Sequence, residues 1–324
     1  MTTVEFKEKL QSLIDLGDEF SALVFFAMKE EEGIVLKKAN ILNEVLTGIA
    51  EGYRETLATE LSRFEDDDQM LVLNLSDRDE RGNVVYRYDI PDEQPSYFEV
   101  MKEPVAQQPV DYVDEKMFNF DRDSFMDIDY FIVRLGTEDN NIVIYRDNFN
   151  VNLMKQGRGR FYLNKSGTQI AKVENDILRM DSQIDCILID NDFYIINLKN
   201  LDTSKEFSAI IRRRAEVAID QIANLPYIAD VEVLRQRLDD ISFARRLMRA
   251  MDNSPVTALP QNDVLDFVRE HPKLGSLIRI NGDKLDLSTK RAQSAFISLL
   301  NDDFLYSKLT KRDYESSAKG PVRE

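Results

Sequence analysis

The chain has no tryptophan, one cysteine, Cys186, and one histidine, His271. A lone cysteine excludes an intramolecular disulfide and fits a reducing compartment. Cys186 lies in the apolar run IDCILI and reads as a buried core thiol. One His and one Cys exclude the usual zinc ligand sets. Any Ser-His-Asp or Cys-His arrangement would depend on His271, and nothing around Glu270 and Pro272 supports one. A place at a helix end, favoured by the helix dipole, is its plainer role. Long hydrophobic runs are missing too: no segment approaches the roughly 20 apolar residues that span a bilayer. The run ALVFFAM lacks the charged start and cleavage pattern of a signal peptide. A cytoplasmic chain is expected, reaching a membrane only through a partner. KSG and KQGRGR lack the glycine spacing of P-loops and dinucleotide-binding folds. No cofactor and no resident metal are expected.

What the chain has in excess is acid. Its formal net charge is -17 over 324 residues, which favours solubility and opposes indiscriminate binding to polyanions. The excess is uneven. Residues 1–150 hold 34 acids and 15 bases, whereas residues 151–324 hold 25 acids and 27 bases. Four of the nine prolines fall between Pro91 and Pro109, in a stretch of little periodicity that reads as a linker or surface loop. The boundary is therefore placed near residue 115, dividing an acidic region, 1–115, from a second region, 116–324.

Periodicity predicts an α+β fold with mixed and antiparallel sheets and packed helices. A short helix over residues 6–16 is followed by the strand SALVFFAMK. Leu42, Val45, Leu46, Ile49, Tyr53, Leu57 and Leu61 then draw one helical stripe, expected to pack on a sheet, with a dimer seam as the alternative. MLVLNLS and NVVYRYDI read as strands. FIVRLGTEDNNIVIYRD reads as a hairpin, as does the segment around the Ser166-Gly167 turn. ILRMDSQIDCILIDNDFYIINLKN gives two strands about Asp190 to Asp192. From Glu206 the period becomes helical: FSAIIRRRAEVAIDQIANL, then VEVLRQRLDDISFARRLMRAM as one helix, then NDVLDFVREH. SLIRINGDKLDLS is a hairpin with an Asn281-Gly282 turn signal. KRAQSAFISLLNDDFLYSKL closes the fold as helix.

Two constellations carry chemistry. In one superfamily of metal-dependent nucleases an Asp opens one strand and an acid-x-Lys triplet follows on the next, the acids holding Mg²⁺. Asp185 and Lys199 match that spacing, but the triplet reads Asn197-Leu198-Lys199. An amide oxygen is a poor substitute for a carboxylate beside a hard cation. The alternative is a core hairpin with no catalytic role.

The basic clusters are the stronger signal. KQGRGRFY sets Lys155, Arg158 and Arg160 around two glycines, beside Phe161 and Tyr162. Glycines let a backbone approach phosphate, arginines offer forked hydrogen bonds, and aromatics stack on bases. Arg212, Arg213 and Arg214 form a second cluster, although three successive helical residues cannot share one face. Arg245, Arg246 and Arg249 form a third, and the tail adds Lys308, Lys311 and Arg312, with Lys319 and Arg323 beyond. Any one cluster can be a solvated face. Together they point to a segregated positive surface, with nucleic acid or the acidic region of a second copy as its partner.

From Tyr130 to Tyr314 the chain resembles the KwaB family, the cytosolic subunits of the two-gene Kiwa anti-phage system. The resemblance is carried by ILRMDSQIDCILIDNDFYIINLKN, by FSAIIRRRAEVA and by DLSTKRAQSAFISLLNDDFLYSKLTKRDYES. It implies a defence effector that binds DNA and acts with KwaA, a multi-spanning membrane protein, to suppress phage replication and late transcription. A Phe-Glu pair found in many relatives is only approximated by Glu206-Phe207, so no role passes to those residues. No catalytic motif is implied. Three readings follow: a DNA-binding effector, expected as a homodimer; a degenerate nuclease using Asp185 and Lys199; and a non-enzymatic interaction subunit.

Overall fold

A computed structural model describes residues 1–30, 33–66, 71–77, 84–90, 92–106, 116–148, 153–154, 163–166, 169–172, 177–252 and 254–316. The chain divides into two compact units, each drawn from two stretches. The first comprises Met1–Val72 with Ser96–Asn200, and the second Leu73–Pro95 with Leu201–Glu324.

In the first unit the apolar runs become the middle of a sheet. Chain order begins α1 (Thr3–Ile14), β1 (Ser21–Glu30), β2 (Gly33–Lys38) and α2 (Asn43–Asp66). Strands β3 (Leu71–Asn74) and β4 (Val84–Arg87) precede α3 (Ser96–Ala106), β5 (Ile128–Gly136) and β6 (Asn141–Asp147). Then come β7 (Leu153–Met154), β8 (Leu163–Ser166), β9 (Gln169–Lys172), β10 (Ile177–Leu178), β11 (Cys186–Ile189) and β12 (Asp192–Ile195). The sheet of this unit runs β2-β1-β5-β6-β11-β12, antiparallel at β1–β2, β1–β5, β5–β6, β6–β11 and β11–β12.

Both faces are covered, which explains why these strands are apolar without alternation. Phe6 of α1 packs on Tyr194 at 5.0 Å between ring centroids. Phe98 of α3 stacks on Phe193 at 3.8 Å and 7°. Adjacent strand residues point to opposite faces, so α1 and α3 lie on opposite sides of β12. The expected linker is thus partly a core helix, with Tyr97, Phe98 and Met101 buried and Pro104 near its end. The boundary near residue 115 separates segments that the sheet interleaves, because β1 pairs with β5. The helical stripe is buried at Tyr53, Leu57 and Leu61, whereas Leu42 is 70% exposed. The β5–β6, β8–β9 and β11–β12 hairpins form as expected.

The second unit is mainly helical. It contains α4 (Leu198–Leu201) in part, then α5 (Lys205–Ala223), α6 (Glu232–Arg235), α7 (Ile241–Asp252), α8 (Gln261–Glu270) and α9 (Pro272–Leu277). A hairpin of β13 (Arg279–Asn281) and β14 (Lys284–Asp286) leads to α10 (Lys290–Leu300). A second hairpin of β15 (Phe304–Ser307) and β16 (Arg312–Glu315) follows. Helix α7 packs against α5 and α10. Buried Arg249 of α7 donates from Nε to the Leu75 carbonyl at 2.7 Å and lies over the Tyr86 ring, tying α7 to the strand residues of this unit.

Three local readings are corrected here. The long helix after Pro226 breaks between α6 and α7, where Asp240 accepts from the Phe243 N–H at 3.1 Å. An aspartate there competes with the helix as an N-cap. The closing helix ends at Leu300, where Asp302 takes a φ of 57° and the chain turns into β15. In the β13–β14 hairpin Asn281 pairs with Lys284, so Gly282 is the first loop residue, with φ 66°.

Candidate functional site

Asp185 directly precedes β11 and is fully buried. Its carboxylate accepts from Arg146 Nη1 at 3.1 Å on both oxygens, from the Asp147 N–H at 3.0 Å and from Asn200 Nδ2 at 2.7 Å. A carboxylate offers about four lone-pair sites, and these four bonds fill them. Arg146 also contacts Asp181 at 3.0 Å and Gln183 at 2.9 Å. A guanidinium therefore stands where a catalytic cation would have to sit. Lys199 is exposed in α4, beyond the end of β12 rather than on it. The strand-borne acid-x-Lys arrangement is not formed. The cluster is instead a polar staple at the strand ends. Burial first, and the Asp185 carboxylate second, push neighbouring Asp147 up to about 6.

Among the described residues, arginines of the α5 and α7 clusters take separate acidic partners. Lys155, Arg158 and Arg160 lie outside the described residues. On α5, Arg213 donates from Nε and Nη2 to Glu93 Oε2 at 3.0 and 2.7 Å. Arg212 lies 4.0 Å from the exposed Asp239, and Arg214 is engaged as well. Nearby Arg235 gathers Glu216, Asp220 and Glu232. The third cluster points three ways. Arg245 pairs with Asp202, Arg249 is buried, and Arg246 turns toward α10.

The tail residues Lys308, Lys311 and Arg312 are exposed on the β15–β16 hairpin. Lys311 and Arg312 line a concavity of about 490 Å³ with His271, Phe304 and Tyr314. His271 caps α9, its Nδ1 accepting from the Leu274 N–H at 3.4 Å. Sequence reasoning missed Arg237, Lys273, Lys290 and Arg291, which join Arg246 around a neighbouring pocket of about 550 Å³. Their spacing along the chain gave no local signal. The first unit has a different concavity of about 1240 Å³, where Phe26, Phe118, Phe120 and Phe125 face Val45 and Ile49.

A family model described as Kiwa protein KwaB-like matches residues 126–310. The chain is similar to the Kiwa protein KwaB of Escherichia coli O55:H7 (strain RM12579 / EPEC), with 31% identity over 329 residues and all of both chains covered. No solved structure matches the chain.

Proposed function

The chain belongs to the Kiwa KwaB-like family, and from that membership we propose that it is a component of Kiwa anti-phage defence that binds DNA and acts with a membrane-embedded KwaA-like partner. The end-to-end match to a KwaB protein carries the reading, because it spans both units rather than one shared domain. Suppression of phage replication and late transcription is the proposed outcome of DNA binding.

Phosphate contacts are assigned to Lys308, Lys311 and Arg312, which are exposed and have no ion pair among the described residues. Lys155, Arg158 and Arg160 are assigned the same role from their sequence. Arg212, Arg213 and Arg214 are weaker contributors, because Arg213 must leave Glu93 before it reaches a phosphate. No helix among the described residues is long and apolar enough to cross a membrane. Recruitment to the inner membrane is therefore assigned to the partner, with the chain otherwise cytoplasmic and homodimeric.

The test is retention of labelled duplex and single-stranded DNA by the purified full chain across a salt series. Binding through phosphate contacts falls steeply with salt, by about 0.9 in log–log slope per contact on duplex DNA. Charge reversal at Lys308, Lys311 and Arg312 is expected to weaken binding to every sequence alike. Capture of the membrane partner with no DNA retained at low salt would instead favour a pure interaction subunit.

A further inference from the structure

Several arginines of the second unit pair with acids, and one pocket gathers cations from four segments. Arg237 follows α6, Arg246 belongs to α7, Lys273 to α9, and Lys290 with Arg291 opens α10. Packing brings all five around one concavity of about 550 Å³, where Glu315 is the only lining carboxylate among the described residues. A single water occupies about 30 Å³ of liquid volume, so the space takes a phosphate group with its hydration.

The floor of the pocket is α10. Lys290, Ser294 and Ser298 repeat at four-residue intervals, and Ala295 lies beside them. Residues four apart share a helical face, so two long cations stand at the rim above small side chains. The N-terminal end of a helix adds positive potential. Arg237 holds this end in place. Its Nη1 donates to the Lys290 carbonyl at 3.1 Å and to Ser294 Oγ at 3.2 Å. Its Nη2 reaches Asp240 at 3.3 Å, and the guanidinium stacks over Phe243 at 4.2 Å.

Neither Lys290 nor Arg291 has an acidic partner for its side chain among the described residues. Acids outnumber bases 59 to 42 in this chain, so partners were available. Like charges gathered around a concavity repel one another, which opposes the compact state. Forked guanidinium, ammonium and hydroxyl donors converging on one space are the chemistry of phosphate recognition. The pocket also continues. Lys273 and Glu315 belong as well to the adjacent concavity of Lys311, Arg312, Asp313, Tyr314, His271 and Phe304. Two adjoining concavities in which cations outnumber carboxylates, one with aromatic rings, fit a chain of phosphates carrying bases better than an isolated anion.

We propose that the sugar-phosphate backbone of a polynucleotide seats in this pocket, held by Arg246, Lys290 and Arg291, with Lys273 passing from Glu315 to the phosphate. The proposal rests on the DNA-binding reading and names its site. Glu315, ion-paired with Lys273, occupies the place of the incoming anion and competes with it.

The test uses the full-length protein and a short fluorescein-labelled DNA duplex, followed by anisotropy across a salt series. The double variant Lys290→Ala/Arg291→Ala is expected to lose roughly tenfold or more in affinity and to lower the salt slope by about two contacts. Glu315→Gln is expected to tighten binding severalfold, and Lys205→Ala, outside the pocket, to leave it unchanged. Unaltered melting temperatures exclude misfolding, and Lys290→Arg/Arg291→Lys should retain binding. Wild-type affinity and slope in the alanine double variant would overturn the pocket while leaving DNA binding intact. A wild-type chain that retains no duplex or single strand at low salt would overturn both. Inorganic phosphate displacing duplex at equal concentration would assign the pocket to free phosphate. Binding to phosphatidylserine vesicles that is lost in the double variant, without any DNA retention, would assign it to a lipid surface.

Discussion

Arg146 and Asp185 show how one pair of residues fixes the ends of two strands, β6 and β11. Both side chains are buried, and every oxygen lone pair of Asp185 is engaged. Removing one partner of a buried ion pair leaves an uncompensated charge, at a cost of about 3–5 kcal/mol. Arg146→Ala is therefore expected to destabilise the protein by about that amount, read from the midpoint and slope of urea unfolding. A loss below about 1 kcal/mol would place the pair among weakly coupled surface contacts. The spacing of Asp185 and Lys199 was legible in the sequence, but its meaning was not. The partner that decides it, Arg146, lies 39 residues upstream in a segment readable only as a strand. For the arginine run the geometry was legible and the partner was not: helix periodicity alone sends Arg212, Arg213 and Arg214 in different directions, whereas Glu93 takes Arg213 from far along the chain.

At the scale of elements, α3 is the instructive case. Four prolines hid a helix that supplies aromatic rings to one face of the sheet. Its Pro104 falls near the C-terminal end, where the missing N–H and the ring still break the last turn. If α3 is a core element, Phe98→Ala removes a ring stacked 3.8 Å from Phe193 and costs about 3–5 kcal/mol. Urea unfolding of that variant measures it, and a surface loop would lose less than about 0.5 kcal/mol. The hairpins were legible because apolar runs, turn residues and apolar runs are local signals. The break before α7 rested on one capping carboxylate, Asp240, inside an otherwise unbroken apolar period. The pocket of Lys273, Lys290 and Arg291 required the packing of α7, α9 and α10, which no local pattern encodes.

For the molecule as a whole, a net charge of -17 makes ionic strength act in two directions. Salt screens self-repulsion over a Debye length of about 8–10 Å at physiological strength, so the folded chain gains stability as salt rises from low values. The proposed polyanion binding would lose affinity over the same range. A melting temperature that climbs with added sodium chloride while DNA retention falls is the expected pair of curves. Parallel movement of the two would mean that binding does not depend on phosphate charge.

The pairing of β1 with β5 has a consequence for biosynthesis. Met28 lies opposite Ile128, so the first strand emerges with no neighbour on that edge until about 100 more residues are made, some 5–20 s at about 5–20 residues/s. During that interval the nascent chain exposes SALVFFAM, an uncharged apolar stretch of strong strand tendency. Such stretches recruit other strands when left open. The early hairpin with β2, closed within ten residues, shields one edge. The other stays open until the ribosome delivers residue 136.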